Sequence, residues 1–280
     1  MPTRLSAEAI AFRAAVRKEA LHVWRYRAGI LVLLVTAVLA PASYLVQAWG
    51  FAGGDRAALD AFAARSGTAD VASFIYLGWA VYLWISLLIW GPGMALRQER
   101  MQGSLEVVML SPVSRWTVLF APAIAHLVPA MLLFAVVGTM LRVVFGVRVG
   151  VDRIGVGLLL VAASIPVLFA LGALFAVVVL RFRDADGVVS VVRGLMAILC
   201  GVSYPVAVLP EWIRPVSRAL PPTRVLDDLR GAVLGPTGVA HPWARAAELL
   251  VAGGVLSFLA WLLLARALRT ARRTGRMGQF

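Results

Sequence analysis

Long apolar runs alternate with short charged stretches along this chain. Six runs are continuous in their apolarity: residues 28–47, 71–94, 118–141, 154–180, 188–208 and 246–264. Each is close to the ~20 residues a helix needs to cross a ~30 Å hydrocarbon core. A β-barrel strand would instead alternate apolar and polar positions. The pattern predicts an all-α polytopic membrane protein, one membrane domain over residues 1–280 with six transmembrane helices. Ahead of the first run, Leu5, Ala9, Phe12, Val16, Ala20 and Val23 recur at steps of three and four, while Arg13, Arg17, Lys18 and Arg25 lie off that stripe. Residues 5–27 therefore predict an N-terminal amphipathic helix, either lying in the membrane interface or docked on a partner. This polar lead also argues against a cleaved signal peptide.

Two polar segments between the runs carry structure of their own. Over residues 97–111, Met101, Leu105, Val108 and Met109 fall on one helical face, with Glu99, Arg100, Gln102 and Glu106 elsewhere. Gly103 and Ser104 weaken the middle of this helix, and Pro112 limits its extension. Periodicity fits a handle that carries a push into two spans and a plain loop helix equally well. Residues 209–244 are broken by Pro210, Pro215, Pro221 and Pro222, and Leu226, Leu229, Ala232 and Val233 share a face. Irregular backbone at membrane depth must be buried in protein or line a wet cavity. A re-entrant pair of short helices on the outer side satisfies that limit, and so does an ordinary external loop. Residues 49–70 read as a polar loop, and residues 181–187 as a compact charged turn.

Charge fixes an orientation. The net charge is +13, and 17 of the 27 Lys and Arg fall in residues 1–27, 96–117, 181–193 and 266–280. The positive-inside rule places those segments, both termini included, in the cytoplasm. Trp49, Phe51, Trp212 and Trp243 then lie near the outer interface, where aromatic belts form. With 61% hydrophobic residues and a mean hydropathy of +0.87, the basic balance reads as topology and no nucleic-acid partner is expected.

The chemistry that is missing narrows the function. The apolar runs are almost free of ionisable groups, His126 being the main exception, so an ion-coupled secondary carrier fits poorly. His126 suits a hydrogen bond to a carbonyl released by Pro122 or Pro129, with a proton relay the other reading. Lys18 is the only lysine, so no phosphate-binding loop exists in this chain. Cys200 is the only cysteine and reads as a small buried hydrophobe. No metal site is expected: Asp184 and Asp186 lack the further spaced acids that a metal pair or an intramembrane lipid-metabolising enzyme would need.

The polar stretch after the second run reads Glu99-Arg100, then Gly103-Ser104-Leu105-Glu106, aliphatics to Leu110, and Ser111-Pro112-Val113-Ser114-Arg115. The end of the fifth run reads Gly201, Pro205, Leu209-Pro210-Glu211-Trp212, Pro221-Pro222 and Leu229-Arg230-Gly231. In these two patterns, in length and in six spans, the chain resembles permeases of the ABC type-2 exporter family. It departs from many relatives at Ala121-Pro122, where they carry Gly-Lys. The resemblance implies two permease subunits, identical or paralogous, around a pathway formed largely by spans two and five. It implies two separate ATP-binding cassette ATPase subunits, which hold the ATP and Mg. They would grip a cytoplasmic coupling helix at Arg97, Glu99, Arg100, Gly103, Ser104, Leu105, Glu106, Ser111 and Pro112. Pro205, Pro210, Trp212, Pro221 and Arg230 would form an outer gate. Tyr76, Trp79, Leu83, Ser86 and Trp90 share one face of span two and, with Tyr204, would line the pathway, packing aromatics being the other reading. The implied activity is export of a drug or lipid across a bacterial plasma membrane, and the chain is a transport subunit rather than an enzyme. A polysaccharide or teichoic-acid-type exporter is the alternative within the same class.

Overall fold

The computed structural model describes residues 4–25, 27–52, 56–68, 70–101, 117, 124, 127–144, 151–179, 185–235 and 238–274. Among them the secondary structure is entirely helical: α1 (Arg4–Arg25), α2 (Arg27–Ala52), α3 (Arg56–Ser66), α4 (Val71–Met101), α5 (Leu127–Val143), α6 (Val151–Val179), α7 (Ala185–Leu199), a 3-10 turn at Val206–Val208, α8 (Arg214–Ala219), α9 (Pro221–Leu234) and α10 (Pro242–Thr274). Four of these, α2, α4, α6 and α10, are long and apolar enough to cross a membrane, while the apolar stretches described in α5 and α7 are shorter.

Two boundaries differ from the sequence reading. The fifth apolar run, expected to be helical to Val208, is helical only to Leu199. Gly201 takes a left-handed backbone (φ 65°) there, and an added Cβ would lie 2.8 Å from the Tyr204 carbonyl oxygen. The segment expected as a polar loop over 49–70 contains α3. Its alanine-rich sequence favours helix, Phe62 sits edge-on to Phe74 at 5.3 Å, and Gly67 ends it with φ 74°. Asp70 then caps α4, its Oδ1 accepting the Ser73 amide at 3.0 Å.

Helices α2, α5, α6, α7 and α9 pack against α4, and α10 packs on α6. Trp84 is fully buried; its indole Nε1 donates to Ser164 Oγ of α6 at 3.2 Å, and its ring lies 5.7 Å from Phe134 of α5. Small residues let the backbones approach, as is usual between helices in lipid. A Cβ on Gly172 would come within 2.8 Å of the Leu88 and Ile89 carbonyls, and one on Gly253 of α10 within 2.9 Å of Pro166.

These contacts also fix helix directions. Trp84 meets Ser164 and Trp90 meets Phe175, so α4 and α6 run the same way. Tyr82 meets the Arg193 carbonyl and Trp79 meets Ser203, so α7 runs against α4. Tyr44, late in α2, meets Trp79, early in α4, so α2 is antiparallel to it. The start of α10 lies beside α9, with Arg245 3.9 Å from Asp228. The chain thus passes up and down through the bundle. The 3-10 turn, α8 and α9 gather at the Val71 end of α4.

Candidate functional site

The break after α7 supplies donors to most of the carbonyls it frees. The Val202 amide donates back to Ala197 O (3.4 Å) and the Gly201 amide to Ile198 O (3.2 Å). With Gly201 left-handed, this is the Schellman helix ending. The Cys200 amide reaches Met196 O at 2.9 Å, the Tyr204 hydroxyl donates to Ile198 O at 2.7 Å, and the Ser217 hydroxyl of α8 donates to Leu199 O. Two carbonyls further on, Gly201 O and Val202 O, accept from one guanidinium, that of Arg230 on α9.

Arg230 is the centre of this end of the molecule. It is 6% exposed. Besides those two carbonyls it donates to Phe74 O of α4 at 3.3 Å, and its guanidinium carbon lies 3.6 Å from the Phe74 ring centroid. Such hydrogen bonds from a charged donor are the stronger kind. The carbonyls stand beside the C-terminal end of α7, whose dipole favours a cation. Space for the guanidinium exists because residue 78 is glycine: a Cβ there would lie 2.1 Å from Arg230 Nη2 and from Val202 O. Gly78, Gly201 and Arg230 thus act as one latch joining α4, α7 and α9.

On α4 itself, burial is uneven. Between Ala72 and Trp90 every residue is buried except Trp79, Leu83, Ser86 and Leu87. Those four lie at steps of four, three and one, which makes them a single strip along the helix. At its upper end Trp79 is bracketed by Tyr44 of α2 (5.2 Å between rings) and by Ser203, which accepts its indole N–H at 3.0 Å. Tyr82 stands edge-on to Trp79 at 5.5 Å and anchors α7 through its hydroxyl, which donates to Arg193 O at 3.0 Å. On the opposite face of α4, Leu77 and Val81 border a carbon-lined cavity of about 530 Å³ that also touches α5, α6 and α9. None of the residues expected in the pathway or gate lines that cavity.

The candidates from the sequence divide accordingly. Trp79, Leu83 and Ser86 share the open strip, and Tyr204 sits half-buried beside it. Tyr76 and Trp90, on the same helical face, are 3% and 5% exposed; the Trp90 ring is closed over by Phe175 at 4.4 Å. Pro205 and Arg230 are both buried at the break, Pro221 starts α9, and Pro210 and Trp212 are exposed, Trp212 to 78%. Arg97, Glu99 and Arg100 belong to the unbroken last turns of α4. Gly103, Ser104, Leu105, Glu106, Ser111, Pro112 and His126 lie outside the described residues. Three contributors were not anticipated: Gly78, Tyr44 and Arg193. A lone glycine inside an aromatic-rich run and an arginine inside an apolar run are the signals that mark two of them.

The arrangement is that of a helical integral membrane protein with its fifth apolar helix ended early, latched at one end and left uncovered along one strip of its central helix. The family model of the ABC-2 type transporter matches residues 10–234, and the chain belongs to that family. It is the membrane domain of an ABC transporter, a transport subunit, and permeases of this family generally pair with ATPase subunits. A comparison with curated proteins finds no match.

Proposed function

We propose that this chain is the permease subunit of an exporter that moves a hydrophobic or amphiphilic substrate, a drug or lipid, outward through a bacterial plasma membrane. ATP and Mg are held by two separate ATPase subunits, and a second permease, identical or paralogous, completes the pathway. Six membrane passes with both termini in the cytoplasm put the Val71 end of α4 on the outer side, and the segment from the 3-10 turn to α9 is then a re-entrant gate. The observation that carries this reading is the strip Trp79, Leu83, Ser86 and Leu87, the one part of α4 between Ala72 and Trp90 that the chain does not bury itself. A helix left partly open along an aromatic and aliphatic strip leaves a wall for cargo, facing a second subunit.

Coupling is assigned to the stretch from Arg97 to Pro112. Helix α4 runs on to Met101, so a push applied just beyond it reaches the strip along the same helix, through Gly91-Pro92-Gly93, where the proline removes a backbone hydrogen bond. The test is reconstitution with candidate ATPases in vesicles. Cargo-stimulated ATP hydrolysis and ATP-dependent accumulation are expected, and Glu106→Ala should depress both while leaving assembly intact. If no ATPase associates, or Glu106→Ala leaves coupled transport unchanged, the reading is wrong.

A further inference from the structure

We infer that Arg193 receives the anionic headgroup of the cargo, which makes the substrate an anionic amphiphile. This rests on the pathway proposed above and adds to it the charge of what passes.

Arg193 lies in the middle of the apolar stretch Gly187–Leu199 of α7, yet its side chain is exposed. It extends over the indole of Trp90, 5.5 Å from guanidinium carbon to ring centroid. Among the described residues no carboxylate pairs with it. An arginine within an apolar span is costly unless it faces a partner, the bundle interior or a wet cavity. Its backbone is fixed to α4 by the Tyr82 hydroxyl, which donates to Arg193 O at 3.0 Å. The side chain is therefore held at the Trp90 end of the same face of α4 that carries the open strip.

The described helices α2 and α4 bring no charge to this point, and on α7 itself the next ionisable residue is Asp186, seven residues earlier. α2 has no ionisable side chain beyond Arg27 except Tyr44, and α4 has no charged one before Arg97. From Trp90 to Trp79 is eleven residues of helix, or ~16 Å of apolar and aromatic surface. One face of the guanidinium lies over Trp90, and among the described residues no acceptor takes its N–H edges, the geometry that takes a phosphate or carboxylate through two parallel hydrogen bonds. A headgroup at Arg193 would leave its chain along Ser86, Leu83 and Trp79. A cationic amphiphile meets repulsion at the same point.

The full-length chain in nanodiscs of neutral lipid tests this with three probes that share one tail: dodecyl phosphate, dodecanol and dodecyltrimethylammonium, each followed by tryptophan fluorescence. Dodecyl phosphate should bind at least about tenfold more tightly than the other two, a factor that Arg193→Gln removes and Arg193→Lys largely keeps. Dodecanol binding should be the same in all three proteins, which also reports that the strip is folded. Equal binding of the three probes, or an undiminished preference in Arg193→Gln, overturns the inference. Charge-selective binding without ATPase stimulation in the reconstituted system would uphold the site and sink the exporter reading. Transport indifferent to headgroup charge would do the reverse.

Discussion

One side of α4 is closed by α5 and α6, with Trp84 and Leu88 wholly buried; the other shows Trp79, Leu83, Ser86 and Leu87 half open between α2 and α7. Both sides have a tryptophan whose indole donates to a serine hydroxyl: Trp84 to Ser164 and Trp79 to Ser203. Composition does not separate them. The partner backbones do. Gly172 lets α6 approach to van der Waals contact on the closed side, whereas α7 ends at Leu199 and hands over to an irregular segment before it can cover the upper part of the strip. The open side is left because α7 packs only sparsely along α4, not because of what α4 is made of.

The comparison breaks most completely at Gly78, which serves the latch and both faces. Gly78→Val places side-chain atoms where Arg230 and Val202 O already sit, and a monodisperse peak in fluorescence-detected size exclusion is expected to vanish. Arg230→Met strips donors from the Gly201, Val202 and Phe74 carbonyls. At roughly 1.5–3 kcal/mol for each hydrogen bond to a charged group, the three together set a loss of up to about 4.5–9 kcal/mol of stability. Trp84→Ala on the closed face should cost about 3–5 kcal/mol, read as a fall in melting temperature. Leu83→Ala on the open face should stay within about 1 kcal/mol and act on cargo-stimulated ATPase instead; it lies outside the large-cavity class. If Leu83→Ala destabilises as much as Trp84→Ala, the strip is core and the distinction collapses. At the small end, Glu248→Ala removes two exposed ion pairs, to Arg224 (3.0 Å) and Arg245 (3.1 Å), and should change stability by less than about 1 kcal/mol.

The long helices were legible because apolar length is a local property, and α2, α4, α6 and α10 follow from it. The end of α7 was not, because it depends on an arginine 29 residues further along the chain. Helical spacing grouped Tyr76, Trp79, Leu83, Ser86 and Trp90 correctly on one face, but spacing carries no information on how far neighbours overlap that face. Phe175 covers Trp90, so two of the five are interior. Arg193 was hidden by charge counting, which merged it with the basic turn before α7. In α3, polar residues at the flanks masked a short alanine-rich helix whose stability comes partly from Phe62 against Phe74.

The latch has a mechanical meaning. Arg230 holds a carbonyl of α4 and two carbonyls beyond α7 with a single planar group. Parting those three elements within one chain would strand three acceptors and a cation in the same instant, with no intermediate grip. The latch therefore resists separation of those three elements within the chain.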